Sequence, residues 1–410
     1  MTTLDTAGGA LSFNPYDYEF HENPYPLYAR LRDEAPVYRN EEMDFWALSR
    51  YDDVLAAFRD PERFSSSYGV SLDPAAWGPN AYKTMSFLAL DEPKHGRMRS
   101  LVSRGFTPRR VLALEPRIRE LTHLYLDAAL ERGTFDFIGD FAGLLPMDVI
   151  SELIGVPVAD RPRLRRLADL LIHREEGVED VPPEGVAAAL DLVVYYTDLL
   201  ADRRANPGDD LTSALLEAEL DGDRLSEDEI IGFLFLMVVA GNETTTKLLG
   251  NAWFWAWLNP EQRARAFGDP STIPAWVEET LRYDTSSQMV ARYTLADVEL
   301  HGRVIAAGER VVLLAGSANR DERQFPDPDR YDLGRHLTAD GSAQQQQLAS
   351  FGFGRHFCLG ASLARLEAKV ALEELVRRVA TYDIDVAGIE RVHSVNVRGF
   401  AALPTTVEVR

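Results

Sequence analysis

One cysteine stands in the most distinctive stretch of the chain. Cys358 is the only cysteine among 410 residues, and it lies in the run Phe351-Gly-Phe-Gly-Arg-His-Phe-Cys-Leu-Gly360. A lone thiol is inert packing, a nucleophile or a metal ligand. Gly352 and Gly354 let the backbone turn tightly against a flat object. A helical apolar pattern follows, so Cys358 stands near a helix N-terminus, which favours a thiolate. Such a thiolate suits an iron porphyrin. The alternative is a buried free cysteine.

A second chemical group interrupts a long apolar segment. Ser226-Glu-Asp-Glu229 is a capping-box pattern, and the helical spacing continues to Leu258, where Asn259-Pro260 stops it. Such a helix is roughly 48 Å long, and its apolar residues lie nearly all round, as in a buried helix. The polar run Ala240-Gly-Asn-Glu-Thr-Thr245 lies in its middle. A buried carboxylate and hydroxyls are costly unless they are paired or useful. The alternative is a kinked, internally satisfied helix.

A third motif is an acid and a base one helical turn apart. Glu279-Thr-Leu-Arg282 follows the polar run and precedes Cys358. Pairs at this spacing are common on solvated helix faces, so the pair alone indicates little.

The three motifs, in this order, resemble those of the cytochrome P-450 family, from about Asn23 to the C-terminus. The resemblance implies a mainly α fold: one helix-rich triangular domain, residues 1–410, with small peripheral β-sheets. Haem would lie between the long central helix and the Cys loop. The cofactor implied is heme b, iron protoporphyrin IX, with Cys358 as the ligand of the metal. Glu243 and Thr244 match the acid and the alcohol that deliver protons for dioxygen cleavage in that family.

The resemblance also assigns residues around the cofactor. His95, Arg99, Arg292 and His356 would hold the two haem propionates, and further residues would border the haem: Ala240, Gly241, Phe351, Gly352 and Gly360. Glu279 and Arg282 would form a buried structural ion pair on the thiolate side. Its expected third partner is Arg330, with Arg335 in reserve.

A hydrophobic pocket above the haem is implied as well. Its expected lining, within segments that include 68–87 and the region near 171–194, is mostly apolar: Trp77, Tyr82, Met85, Phe87, Phe233, Leu236, Met237, Ala240, Met289, Val290 and Val395, with Asn396. Each could equally be ordinary core. His173, Arg174, Glu175 and Glu176 would meet a polar end of the substrate or face water. A hydrophobic molecule fits such a lining: a steroid, terpenoid, fatty acid or polyketide.

The implied reaction is oxygen insertion into a C–H bond, as a hydroxylation or an epoxidation, using O2. Electrons would come from an iron–sulfur ferredoxin and its NAD(P)H reductase, because no flavin or reductase domain follows Cys358. The ferredoxin would dock near Arg97, Arg104, Arg109 and Arg110. Two other readings stay open: a peroxide-driven haem oxygenase, which in this family lacks the acid–threonine pair, and a non-catalytic haem protein that senses or carries a small molecule.

Composition excludes other classes of function. The net charge of −22 disfavours binding to nucleic acid or anionic membranes. A single cysteine excludes internal disulfides and multi-cysteine metal sites, which fits the cytoplasm. No histidine pair forms the H-E-x-x-H pattern of zinc hydrolases. The longest apolar run, Ile230 to Ala240, is too short to span a bilayer. We therefore expect neither a membrane anchor nor a signal peptide.

Apolar spacing predicts the elements that position these motifs. Helices are expected at the following ranges: Leu114–Arg132, Leu164–His173, Gly185–Arg204, Thr272–Tyr283 and Leu359–Ala380, besides the long helix. Short strands are expected at these ranges: Phe45–Leu48, Val311–Leu314, Val392–Val397 and Thr405–Val409.

Overall fold

Helices make up most of the architecture. The computed structural model describes residues 11–172, 181–220, 222–338, 341 and 345–410. Their α-helices, in chain order, are α1 Tyr18–Glu22, α2 Tyr25–Glu34, α3 Tyr51–Arg59, α4 Tyr82–Met85, α5 Lys94–Val102, α6 Pro108–Ala113, α7 Glu115–Arg132, α8 Leu144–Ile154, α9 Arg161–Ile172, α10 Pro183–Ala205, α11 Leu211–Glu217, α12 Glu227–Leu258, α13 Pro260–Gly268, α14 Ile273–Tyr283, α15 Ala315–Ala318 and α16 Ala361–Arg378.

The strands are short and form small sheets. They are β1 Val37–Asn40, β2 Phe45–Leu48, β3 Phe64–Ser65, β4 Thr134–Asp136, β5 Glu219–Leu220, β6 Asp223–Arg224, β7 Val290–Thr294, β8 Val298–Leu300, β9 Arg303–Ile305, β10 Arg310–Leu313, β11 Val379–Ile384, β12 Glu390–Arg391, β13 Phe400–Ala402 and β14 Pro404–Val409. The largest sheet has the order β1-β2-β10-β7-β3, and a second has the order β11-β14-β4. Within the first sheet β10 runs parallel to β2, with Val312 opposite Ala47.

The long helix α12 is the central element. Its N-terminus is a capping box, in which the Glu229 amide donates to the Ser226 hydroxyl and the Ser226 amide donates to the Glu229 carboxylate. It packs against α8, α9, α10, α14 and α16, and its apolar side chains are buried nearly all round. The sequence therefore predicted both the start and the end of this helix.

Most of the other predicted elements are present, with two differences. The helix after the Cys loop begins at Ala361 and ends at Arg378, because Val379 already pairs with Val409 as the start of β11. The predicted strand over 392–397 is wrong: only Val397 makes an isolated bridge, with Ser287. In that segment His393 stacks on Tyr18, with ring centroids 3.5 Å apart.

A buried charge cluster joins α14 to the segment that leads to the Cys loop. Arg282 donates two hydrogen bonds to the Glu279 carboxylate, both 2.8 Å, and neither side chain is exposed. The His336 ring lies 2.8 Å from the same carboxylate, and the Asp332 amide also donates to it at 2.8 Å. Burial alone would raise the pKa of Glu279, but these donors hold it below its usual value.

The third partner differs from the sequence prediction. The Arg330 side chain is 64% exposed and lies 3.7 Å from Asp332, so it contributes only its carbonyl, which accepts from Arg282 at 3.1 Å. The buried His336 takes the expected place of Arg330, and Arg335 approaches Glu279 at 3.7 Å. The sequence could not choose among these residues, because the surrounding backbone decides which side chain turns inward.

Among the described residues, no helix combines the length and the apolar character needed to cross a membrane.

Replacing Arg282 should destabilise the protein far more than replacing Arg330. In Arg282→Ala, Glu279 stays buried with its main partner lost, which costs about 3–5 kcal/mol. Arg330→Ala is the matched control, and its exposed side chain should contribute less than about 0.5 kcal/mol. Urea unfolding measures both free energies, and equal values for the two variants would contradict the role given to the buried pair.

Candidate functional site

The cysteine lies in a tight loop between two short 3-10 turns and α16. The turns cover Ala349–Phe351 and Gly354–His356, and the Cys358 amide donates to the Phe351 carbonyl at 2.9 Å. Gly354 has a left-handed φ of +69°, and a Cβ there would lie 2.9 Å from the Phe58 carbonyl oxygen. A side chain would therefore collide with α3, and the predicted need for glycine at this position has a steric cause.

Two opposing influences act on the pKa of the Cys358 thiol. The protein around the sulfur limits its contact with water and so raises the pKa of Cys358 above its usual value, although the residue as a whole keeps exposed surface. The Gly360 and Ala361 amides and the Arg99 and Arg365 guanidinium groups oppose that rise. The helix terminus is thus oriented as predicted, while a bound metal ion would still have to displace the proton.

Solvent reaches one residue of the Cys loop and one residue of the central helix. Cys358 is exposed, and so is Ala240, which lies in the middle of the otherwise buried α12. Thr244, one turn after Ala240, donates its hydroxyl to the Ala240 carbonyl at 2.9 Å. Among the described residues, no three His, Cys, Asp or Glu side chains are grouped to hold a metal ion. The site therefore offers a metal one sulfur ligand.

Four basic side chains meet beside this loop. The rings of His95 and His356 lie 4.1 Å apart between centroids, and Arg99 donates to the Phe357 carbonyl at 2.6 Å. Arg292 is 3% exposed and donates to the Ala291 carbonyl at 2.8 Å. These are the four residues predicted to hold propionates, and the fold brings them together from α5, β7 and the Cys loop.

Several nitrogen atoms in this basic cluster have no hydrogen-bond partner, which is costly for buried polar groups. The buried atoms without a hydrogen-bond partner include His95 Nε2, Arg99 Nη1 and His356 Nδ1. Burial lowers the pKa of His356 to about 2, with further lowering by Arg292, His95 and Arg99. Burial also lowers the pKa of Arg292 to about 10, and Asp91 opposes this. Such a cluster fits an anionic group with two carboxylates.

The acid in the polar run of α12 is buried and paired rather than solvated. Glu243 is 3% exposed, its carboxylate lies 3.0 Å from Lys247 Nζ, and Asn242 donates to it at 3.2 Å. A Cβ on Gly399 would lie 2.5 Å from Lys247 Cβ, so that glycine leaves room for the lysine stem. The sequence analysis missed Lys247, although its spacing of four residues from Glu243 was a readable signal.

The predicted pocket residues divide between two buried groups. Phe87 and Leu236 belong to the main core, and the Phe87 ring lies 6.1 Å from that of Phe233. Met289 and Val395 are buried in a smaller second core, with Trp77 packed against it. The remaining predicted residues have partial or greater exposure: Tyr82, Met85, Met237, Ala240, Val290 and Asn396. His173, Arg174, Glu175 and Glu176 lie outside the described residues.

The four arginines predicted to dock a partner are not equivalent. Arg97 pairs with Asp223 and, at 2.6 Å, with Glu229, and Arg104 donates to the Glu219 carbonyl at 2.9 Å. Arg109 and Arg110 are exposed near the start of α6, with no ion pair to any described residue. The intramolecular partners of Arg97 were invisible in the sequence because they lie more than 100 residues away.

Comparison with known proteins agrees with this geometry. The family model for cytochrome P450 matches residues 272–386, which contain Glu279, Arg282 and Cys358. The chain is 60% identical to cytochrome P450 123 of Mycobacterium tuberculosis, covering 100% of both chains. It is 39% identical to the vitamin D(3) 25-hydroxylase of Pseudonocardia autotrophica, covering 99% of both.

A solved structure extends the likeness to the whole fold. The corticosterone complex of CYP109E1 from Bacillus megaterium superposes with a TM-score of 0.81 at 32% identity, covering 95% of this chain and 99% of that one. The mainly α fold expected from the sequence is confirmed. Because the chain is 60% identical over its whole length to one member and shares the fold of another, it belongs to the cytochrome P450 family, whose fold implies a haem cofactor.

Proposed function

We propose that the chain is a single-domain haem-thiolate monooxygenase, residues 1–410, that hydroxylates or epoxidises a hydrophobic small molecule. The observation that carries this proposal is the coexistence of Glu243 and Thr244 with the Cys358 loop. Members of the family are generally monooxygenases. A carboxylate that is paired with a lysine and lies next to an exposed hydroxyl can serve in proton delivery. The proposed cofactor is heme b, and the proposed location is the cytoplasm.

When bound, the haem supplies dioxygen activation, with its iron held by the Cys358 sulfur. Arg99, Arg292, His95 and His356 would hold its propionates, since these basic groups lie together beside the loop and three of them have unpaired nitrogen atoms. Phe351, Gly352 and Gly360 would border it from the loop, with Ala240 and Gly241 on α12. The chain thus contributes the ligand, the anion-binding groups and the groups that move protons.

Thr244 and Glu243 would act in sequence on the protons that the reaction consumes. The Thr244 hydroxyl now donates to the Ala240 carbonyl, and rotation about its χ1 frees that proton for a reacting oxygen or a water. Glu243 is buried one residue earlier; its carboxylate would take up a proton that comes from solvent and pass that proton on to replace the one given up by Thr244. This pair favours the dioxygen route over a peroxide-driven oxygenase and over a non-catalytic haem sensor or carrier.

The substrate is proposed to be apolar, with steroids as the first class to test. The side chains predicted to line the pocket are mostly apolar and aromatic, which suits such a molecule. One relative is named a vitamin D(3) 25-hydroxylase, and a structural neighbour was solved with corticosterone. Terpenoids, fatty acids and polyketides share the required hydrophobicity.

Electrons are proposed to come from an iron–sulfur ferredoxin reduced by an NAD(P)H reductase. Arg109 and Arg110 are the best docking candidates among the four predicted arginines, because Arg97 and Arg104 already have partners within the chain. An acidic ferredoxin would be steered to exposed arginines against the strongly negative background of this protein.

Removing the Thr244 hydroxyl should uncouple NADH use from product formation. We expect Thr244→Val to lower the product formed per NADH by ~10-fold or more, since proton transfer contributes on the order of 100-fold or more to catalysis. The assay uses ferredoxin, reductase and whichever of corticosterone, vitamin D(3) and hexadecenoic acid gives the largest spin-state shift.

Thr246→Val is the matched control. Its hydroxyl also donates to the carbonyl four residues earlier, at 3.0 Å, but it is buried away from the exposed face of α12. If both variants retained wild-type coupling, proton delivery by Thr244 would be wrong. Should the wild type consume no NADH with any of these compounds, the monooxygenase proposal itself would fall.

Charge reversal at the start of α6 should slow reduction by ferredoxin. We expect ferredoxin to reduce the haem of the double variant Arg109→Glu/Arg110→Glu ~10-fold more slowly than that of the wild type at low salt. This difference in rate should shrink as ionic strength rises. Acidic residues at a helix N-terminus are favourable, so the fold should survive. The control Arg163→Glu reverses an exposed charge on α9, and an equal slowing there would refute a specific docking surface.

A further inference from the structure

A short chain of hydrogen bonds links the segment after β3 to the segment between β12 and β13. The Asn396 Nδ2 group donates to the Ser71 hydroxyl at 2.7 Å, and that hydroxyl donates to the Asp73 carboxylate at 2.6 Å. Ser71 and Asp73 are buried, whereas Asn396 is half-buried. The chain of hydrogen bonds therefore begins at a buried acid and ends at an amide that keeps exposed surface.

The carboxylate fixes the direction of these hydrogen bonds. An ionised carboxylate only accepts hydrogen bonds, so the single proton of the Ser71 hydroxyl is directed to Asp73. The Asp73 backbone amide donates to the same hydroxyl oxygen at 3.2 Å. With its proton and one lone pair already engaged, the Ser71 oxygen can only accept from Asn396. The Asn396 side chain must therefore turn its NH2 group toward Ser71, which leaves Oδ1 on the opposite side.

The side-chain oxygen of this amide is an acceptor that the fold leaves open. Among the described residues, none donates a hydrogen bond to Asn396 Oδ1. The residue itself is held in place, because the Gln288 amide donates to the backbone carbonyl of Asn396 at 2.9 Å and the adjacent Val395 is 2% exposed. A fixed amide with one open acceptor distinguishes ligands that donate a hydrogen bond from ligands that only accept one.

The strand that carries Arg292 leads from the basic cluster toward this amide. β7 begins at Val290, and side chains two residues apart in a strand lie on the same face, so Val290 shares the face of Arg292. Gln288, which holds the backbone of Asn396, stands two residues before Val290. Val290 and Asn396 both keep exposed surface and both belong to the predicted pocket lining. The open acceptor is thus placed beside the proposed pocket, a short stretch of chain from the proposed propionate cluster.

We propose that Asn396 is a specificity-determining residue, and that its Oδ1 accepts a hydrogen bond from a hydroxyl group on an otherwise apolar substrate. Ser71 and Asp73 are positioning residues, which act through the orientation of the Asn396 amide. The inference rests on the proposed function and narrows its substrate class to hydrophobic alcohols. A ketone with the same carbon skeleton has only acceptors, so it would leave Oδ1 unpaired.

The test compares an alcohol with the ketone of the same skeleton, added to the haem-loaded protein. The probes are testosterone with androstenedione, and hexadecan-2-ol with hexadecan-2-one, and spin-state titration gives each dissociation constant. The quantity of interest is the ratio of the ketone constant to the alcohol constant, because differences in hydration between two probes are the same in every variant. We expect Asn396→Leu to lower this ratio ~5-fold in at least one pair, the effect of losing one hydrogen bond.

The variant Asp73→Asn tests the direction of the hydrogen bonds without changing Asn396. Its new amide can donate to Ser71, which releases the hydroxyl proton toward Asn396 and lets that side chain present NH2 instead of Oδ1. The ratio should therefore fall several-fold here too. Asp191→Asn is the matched control, since it makes the same substitution at an acid on α10 whose side chain is 60% exposed. It should keep the wild-type ratio.

The ratio separates specificity from a purely structural role. If the three residues only held the two segments together, their loss would weaken alcohol and ketone binding alike and leave the ratio unchanged. A ratio that is unchanged in Asn396→Leu for both pairs, or that falls equally in Asp191→Asn, would overturn the inference. Failure of the proposed function would look different, as a wild type in which none of the four probes shifts the spin state.

Discussion

Buried charge that must be compensated is the constraint on which this structure depends. Glu279 is fully buried, and its carboxylate is surrounded by Arg282, His336 and the Asp332 amide. Removing a single partner would leave an unpaired ion in the interior. The free-energy cost of that ion is far larger than the stabilisation that an exposed ion pair provides. Because these partners come from α14 and from the segment before the Cys loop, compensation of one carboxylate fixes how the two segments meet.

The same constraint explains the site. Arg292, Arg99, His95 and His356 lie close together, and the last three have buried nitrogen atoms without a hydrogen-bond partner. Unpaired donors and positive charges in the interior are unfavourable by themselves, so this cluster favours the binding of an anionic group. On α12, by contrast, the buried Glu243 carboxylate already has a cationic partner in Lys247, 3.0 Å away. One part of the site therefore has unpaired donors, and the other contains a compensated ion pair.

Local sequence patterns predicted the structural features that depend on neighbouring residues in the chain. The cap at Ser226, the stop at Asn259, and the turn of helix that pairs Glu279 with Arg282 all depend on neighbours in the chain, and each is present. The glycines of the Cys loop were also predictable, because a left-handed φ and a close approach leave no room for a side chain. Family resemblance added the four donors, which no spacing rule could have brought together.

What the sequence could not provide were contacts between distant segments. His336 replaces Arg330 because the backbone turns one side chain inward and the other outward. Arg97 pairs with Glu229 across 132 residues. The segment 392–397 has the composition of a strand, but pairing along it is replaced by the stacking of His393 and the burial of Val395.

The most direct test of the central claim is the absorption spectrum of the purified, reduced protein under carbon monoxide. Ligation of the haem iron by the Cys358 sulfur predicts a Soret maximum at the long-wavelength position that thiolate ligation produces, and Cys358→His should move it to the shorter wavelength typical of a histidine ligand. A wild-type maximum that already lies at the shorter wavelength would contradict the account.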